Sequence, residues 1–163
     1  MASHSATMYQ IIDEPRPGAL TRLAVNPFWP LLGFMFGGAF FSWVWSLINS
    51  LALGSPTRLR ELFAILCGFV GYFLLLFAMS FLINLQVFEG LTHQYTRILL
   101  VGFSLIPSYY VYLRQSAAYE LFEYFGGKAL NGIPILLAGY FVGSKFQLAV
   151  LTAVINGVSL WTR

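Results

Sequence analysis

Charge is what this sequence has least of. Only 9% of its 163 residues are Asp, Glu, Lys or Arg, where a soluble domain carries about a quarter. That is too few to coat a surface facing water. Cys67 is the single cysteine, which excludes a disulfide scaffold. The 15 Gly and 7 Pro fall without period, excluding collagen-like and low-complexity chains. The two histidines, His4 and His93, lie outside the apolar runs, so no Ser–His pair of an intramembrane hydrolase can form there. GxSxG, HExxH, GxxxxGK[ST] and strand-linked GxGxxG signatures are missing, and no cofactor or metal is implied. Basic residues are scattered singly, with no stripe for nucleic acid. What is present is apolar: 58% hydrophobic residues and a mean hydropathy of +0.74. Disorder is excluded on that count. The class that remains is an integral membrane protein.

A spanning helix needs about 20 mostly apolar residues, at 1.5 Å each across a core near 30 Å. Four runs qualify: 27–53 and 62–88, both uncharged; 98–113, interrupted by Pro107; and 133–161, containing Lys145. Gly54, Ser55 and Pro56 signal a turn between the first two. Residues 1–26 form a polar tail in which Pro15, Pro17 and Gly18 break any helix, and 19–25 suit a short interfacial helix with Arg22 among the headgroups. The tail lacks the pattern of a cleaved secretory signal. Before the last run, Ser108 as N-cap and Gly126-Gly127 as stop predict an interfacial helix over 109–125. Val111, Ala118, Leu121, Phe122 and Phe125 share one face, with Ser116, Glu120 and Glu123 opposite, so the third span is expected to bend at Pro107 and continue as a helix in or near the interface. The expected fold is therefore all-α: an integral membrane bundle of four transmembrane helices (residues 27–163) with an interfacial amphipathic helix before the last span. Four straight spans put Arg16, Arg22, Arg97 and Arg163 on one side and Arg58, Arg60, Arg114 and Lys128 on the other. The Lys/Arg rule then gives no orientation, although nothing in the tail looks built for export.

Lipid tails are as apolar as Leu, so helices among them associate by close packing and hydrogen bonds. Small residues recur in register: Gly33 and Gly37, then Gly38, Ser42, Ser46 and Ser50, in the first run; Ala64, Gly71 and Ala78 in the second; Gly139 and Gly143, then Ala149, Ala153 and Gly157, in the last. The pattern fits packing within one chain or between chains. Trp43 and Trp45 lie deep in the first run, as filling against these glycine lines or as a ligand-facing pair; Trp29 and Trp161 suit an interfacial belt.

Lys145 carries the sharpest question. On a continuous helix, Lys145, Thr152, Asn156 and Ser159 fall within a sector of about 60°, a polar line facing a cavity or partner. Alternatively Gly143-Ser144-Lys145 is a turn, and Lys145 reaches water. Asn84, Ser80, Ser46 and Asn49 are acceptors in other runs, and no acid lies mid-span. Glu89 and His93 offer a metal two ligands without a third, and Cys67 reads as a small, inert packing residue. Glu120 and Glu123 are an i,i+3 pair of interfacial acids.

The expected function is that of a non-catalytic multi-pass membrane protein. It acts by helix–helix association, as an accessory or assembly subunit or an inhibitory partner. Its partners are the lipid bilayer, further copies of itself or another membrane protein, in a plasma or bacterial inner membrane. The alternative is a small oligomeric pore or carrier lined through Lys145, whose basic lining favours anions. A third reading is a lipid-modifying enzyme using Glu120 and Glu123.

Overall fold

The computed structural model describes residues 20–85 and 93–161, and these are helical throughout apart from short connections. A 3-10 turn, Thr21–Leu23, precedes α1 (Phe28–Leu53), α2 (Arg58–Asn84), α3 (His93–Tyr124) and α4 (Ile133–Trp161). All four α-helices are long and apolar enough, by length and composition, to cross a membrane, and the chain is a multi-pass membrane protein on that evidence; the single straight span expected over 27–53, however, is not what α1 forms.

The first helix does not run straight. Gly38 has φ +83 and ψ 174, a backbone state open to glycine and costly to other residues. The Ser42 hydroxyl donates to the Pro30 carbonyl at 2.7 Å, and the Val25 amide donates to Asn49 Oδ1 at 2.9 Å. In a straight helix residues 30 and 42 would stand about 18 Å apart along the axis. The chain therefore reverses at Gly38. Residues 28–37 and 39–53 form two antiparallel half-helices, about 15 and 22 Å long. Gly33 makes room for the Trp45 ring across the hairpin. A further Cβ at Gly38 would also overlap Gln147 of α4.

The open end of the hairpin gathers the other termini. Ala24 and Val25 pair with Leu130 through a 2.7 Å backbone hydrogen bond and an isolated parallel bridge. Ala24, Ala52, Leu53 and Phe122 form one buried cluster. Gly132 lies against the Trp29 ring. So α1 begins and ends where α2 starts, α3 finishes and α4 starts. From that end α2 rises, α3 returns antiparallel to it, and α4 rises along the first half of α1. The contacts of Gly71 with Phe103 and of Gly68 with Pro107 set the register of α2 against α3.

Several expectations change. The run 98–113 does continue past Pro107 into the stretch 109–125, as one helix, α3, that is not interrupted at the proline. Ser108 is not a cap but a mid-helix residue whose hydroxyl bonds back to the Ser104 carbonyl. Such back-bonding suits a helix whose amide ladder a proline has already interrupted. Val111, Ala118 and Phe122 face inward, yet Leu121 and Phe125 are exposed, because the buried stripe runs through Ser104, Ser108 and Gln115 instead. The stop at Gly126-Gly127 forms: Gly126 at φ +80 and Gly127 donate to the Glu123 and Phe122 carbonyls in a Schellman motif. No turn interrupts α4 at 143–145. Cys67 is exposed rather than packed.

Two substitutions test the hairpin. Gly38→Ala combines a disfavoured backbone state with overlap against Gln147, and Gly143→Leu drives a side chain into the Gly37 backbone. Each is expected to cost about 2 kcal/mol or more, read as earlier unfolding in a detergent-solubilised thermal or denaturant titration. Ala78→Leu, at an exposed position of α2, is expected to leave the transition in place.

Candidate functional site at the hairpin tip

The hairpin is locked at its open end by a buried polar cluster drawn from three helices and the segment before α1. Gln115 Nε2 donates to the Ser46 carbonyl at 2.7 Å and to Glu61 Oε2 at 3.0 Å, while Gln115 Oε1 accepts from Asn49 Nδ2 at 3.1 Å. Glu61 Oε1 accepts from the Ser55 and Thr57 hydroxyls at 2.6 and 2.7 Å. Asn49, Glu61 and Gln115 are buried to 1% exposure or less. Glu61 stands in the first turn of α2, where the helix dipole also favours negative charge. Each carboxylate oxygen is thus satisfied by donors rather than by a cation. Among the described residues the cluster is closed, which makes it a clamp rather than a reaction centre.

The other end of the hairpin is open. A cavity of about 880 Å³ sits over the tip, with walls from all four helices. Its polar lining comprises Tyr72, Thr96, Arg97, Ser104, Ser144 and Gln147, on an otherwise apolar wall that includes Phe34, Leu100 and Leu148. Gln147 Nε2 reaches the Tyr72 hydroxyl at 3.5 Å. The Ser104 hydroxyl is spent on the Leu100 carbonyl, whereas Thr96 Oγ1 is buried with no partner among the described residues. Counting from Gln115, level with the start of α2, the tip lies about 12 Å deep and Arg97 about 27 Å. The cavity therefore spans the half of the bundle away from the clamp. Irregular backbone at membrane depth is tolerated where it is buried in protein or lines a cavity, and Gly38, half-buried, lines this one. Donors and one cation line the space, and no described acid does. It suits a solute rich in hydrogen-bond acceptors. Among the described residues it offers no acid–base pair.

Comparison with family models, with curated proteins and with solved structures finds no match.

The predicted residues are distributed as follows. Gly37 meets Gly139 and Gly143 across the α1–α4 contact, so both GxxxG pairs pack within the chain. Gly38 is the hinge; Ser42 and Ser46 serve the hairpin through the Pro30 and Gln115 bonds; Ser50 is buried with its hydroxyl unpartnered. Gly71 seats Phe103, Ala78 and Ala153 are exposed, and Gly157 lies beyond the described side chains. Trp43, 2% exposed, donates to Ser108 Oγ at 2.9 Å. Lys145 and Thr152 are exposed and do not line the cavity, while their neighbours Ser144 and Gln147 do. Thr152 bonds back to the Leu148 carbonyl, and the side chains of Asn156 and Ser159 lie outside the described residues. Glu120 and Glu123 are exposed, with Glu123 accepting from Tyr119 at 2.6 Å. Glu89 and the His93 side chain fall outside the description, and no described group of three His, Cys, Asp or Glu can hold a metal. Glu61, Gln115, Tyr72 and Gln147 escaped the sequence reading. Their only common signal is polarity at positions that share the buried stripe of an apolar helix.

The clamp is tested by a double-mutant cycle. Gln115→Leu strands two acceptors, Glu61 Oε2 and the Ser46 carbonyl. A coupling of about 1.5–3 kcal/mol between Glu61→Leu and Gln115→Leu is expected from a buried hydrogen bond to a carboxylate, measured by unfolding in detergent.

Proposed function

We propose that the chain is a non-catalytic multi-pass membrane protein that works by docking another membrane protein against the outward face of α4, as an accessory or assembly subunit or an inhibitory partner. One observation carries this reading. Lys145 is exposed on α4 about 18 Å from the start of that helix, mid-depth in a bilayer. A lysine at that depth costs about 2.5–3.5 kcal/mol unless an acceptor meets it. None does among the described residues. The uncovered stripe runs Ala138, Val142, Lys145, Ala149 and Thr152, with small residues that admit a second helix closely. Only 11% of the apolar stretch of α4 is buried, against 44% for α1. The glycine lines themselves no longer speak for an external partner, since they pack inside the chain.

The hairpin also bears on orientation. With α1 entering and leaving on one side, that side carries Arg22, Arg58, Arg60, Arg114 and Lys128, and the other carries Arg97. Among the described basic residues outside the apolar runs the balance is therefore five against one, whereas four straight spans divide eight residues, Arg16 and Arg163 included, four against four. The bias supports a cytoplasmic N-terminus, a re-entrant hairpin and three crossings, in a plasma or bacterial inner membrane. The cavity above Gly38 favours a second reading, a small-solute carrier or pore, with the lining moved from Lys145 to Tyr72, Thr96, Arg97 and Gln147.

Photocrosslinkers placed at Val142 and Ala149 are expected to capture a protein in the native membrane, and Lys145→Met is expected to weaken that capture severalfold while expression holds. Absence of any crosslink along this face would contradict the proposal. Single cysteines at the exposed positions Leu23 and Pro56, in a chain lacking Cys67, are expected to react with an impermeant maleimide from the same side.

A further inference from the structure

We infer that the cleft between α2 and α3 binds an anionic glycerophospholipid, its acyl chain along the helix seam and its phosphate against Arg60 and Arg114. The cleft, of about 610 Å³, is nearly all apolar, and its floor is the close contact of Gly68 with Pro107, backed by Trp43. Its volume lies within the usual range for a small-molecule site. Two helical stripes border it. On α2, Arg60, Ala64, Cys67 and Gly68 follow one another at helical spacing; on α3, Phe103, Pro107 and Tyr110 do the same. The next turn of the α3 stripe is Arg114, whose guanidinium lies 5.5 Å from the centre of the Tyr110 ring.

The register of the two helices brings both arginines to one end. Glu61 and Gln115 face each other through their 3.0 Å hydrogen bond. On antiparallel helices the preceding residues, Arg60 and Arg114, then turn to the same side of the seam. Both are exposed, and no described carboxylate pairs with either. Glu61, the nearest acid in sequence, is already engaged by Ser55, Thr57 and Gln115. Two planar guanidiniums at headgroup depth, one steadied by a tyrosine ring, are suited to a phosphate in bidentate contact. An apolar slot descends from them into the hydrocarbon. That charge arrangement selects an anionic lipid over a zwitterionic one and over an uncharged helix. The site is independent of the α4 face.

Cys67 lines the cleft, is exposed, and is the sole cysteine, so it reports occupancy directly. The experiment reconstitutes the full chain in phosphatidylcholine vesicles with rising phosphatidylglycerol and follows labelling of Cys67 by a bilayer-soluble pyrene maleimide. Phosphatidylglycerol is expected to slow labelling about fivefold, the size of one basic contact with an anionic surface. Arg60→Gln with Arg114→Gln is expected to abolish that slowing while keeping the rate in pure phosphatidylcholine, and the double lysine variant is expected to restore part of it. An unchanged rate with phosphatidylglycerol would overturn the inference. So would slowing that survives in the glutamine variant. A Cys67 shielded equally in both lipids would mean that another chain fills the cleft, which also overturns it.

Discussion

A helix can reverse inside a membrane only where its exposed backbone groups find partners and its chain finds a conformation it can afford. Gly38 meets the second condition, and its place on the cavity wall beside Gln147 of α4, between the buried Gly37 and Ala39, keeps the turn within protein as the first requires. Every other feature of the structure follows from that reversal. It shortens α1 to two half-helices, places them at the centre of the bundle, and leaves a cavity above the tip because nothing from α1 reaches that half. It also brings residues 20–26 back beside the loop at 54–57. Without the reversal Asn49 would stand more than 30 Å from the Val25 amide it holds.

The hairpin is held by two kinds of contact suited to hydrocarbon, where burial of apolar surface gives little net preference for helix pairing. Against α4 the contact is steric: Gly37, Gly139 and Gly143 remove side chains until backbones touch. Towards α2 and α3 it is polar: Asn49, Glu61 and Gln115 exchange hydrogen bonds across three helices. A buried amide or carboxylate left single would be costly, so these residues fix one register and disfavour sliding. The aromatic packing of Phe40 on Phe69, Tyr72 and Phe73 fills the level between.

Much of this was legible beforehand in one dimension and little in three. Apolar runs located α2 and α4 closely, because hydropathy reports lipid exposure residue by residue. Gly126-Gly127 announced a helix end, since only glycine takes a positive φ freely. Gly38 was visible too, but as one of several small residues at helical spacing. The assumption of a straight helix turned a hinge into a packing line. The same assumption made the count of basic residues a tie. Glu61 falls just outside the apolar run 62–88 and so carries no signal in hydropathy, while its burial depends on Gln115, 54 positions away. Ser108 reads as the N-cap of a helix over 109–125, whereas its work is to receive the Trp43 indole. Contacts this distant leave no local periodicity to read.

The central claim is that the chain from 28 to 53 doubles back rather than crossing. Its most direct test is a distance between spin labels at Leu23 and Leu51, both on the exposed surface, measured by pulsed electron resonance in lipid nanodiscs. The hairpin places them within about 20 Å of each other, whereas a straight helix would hold them about 42 Å apart. A single population at the longer distance would contradict the account.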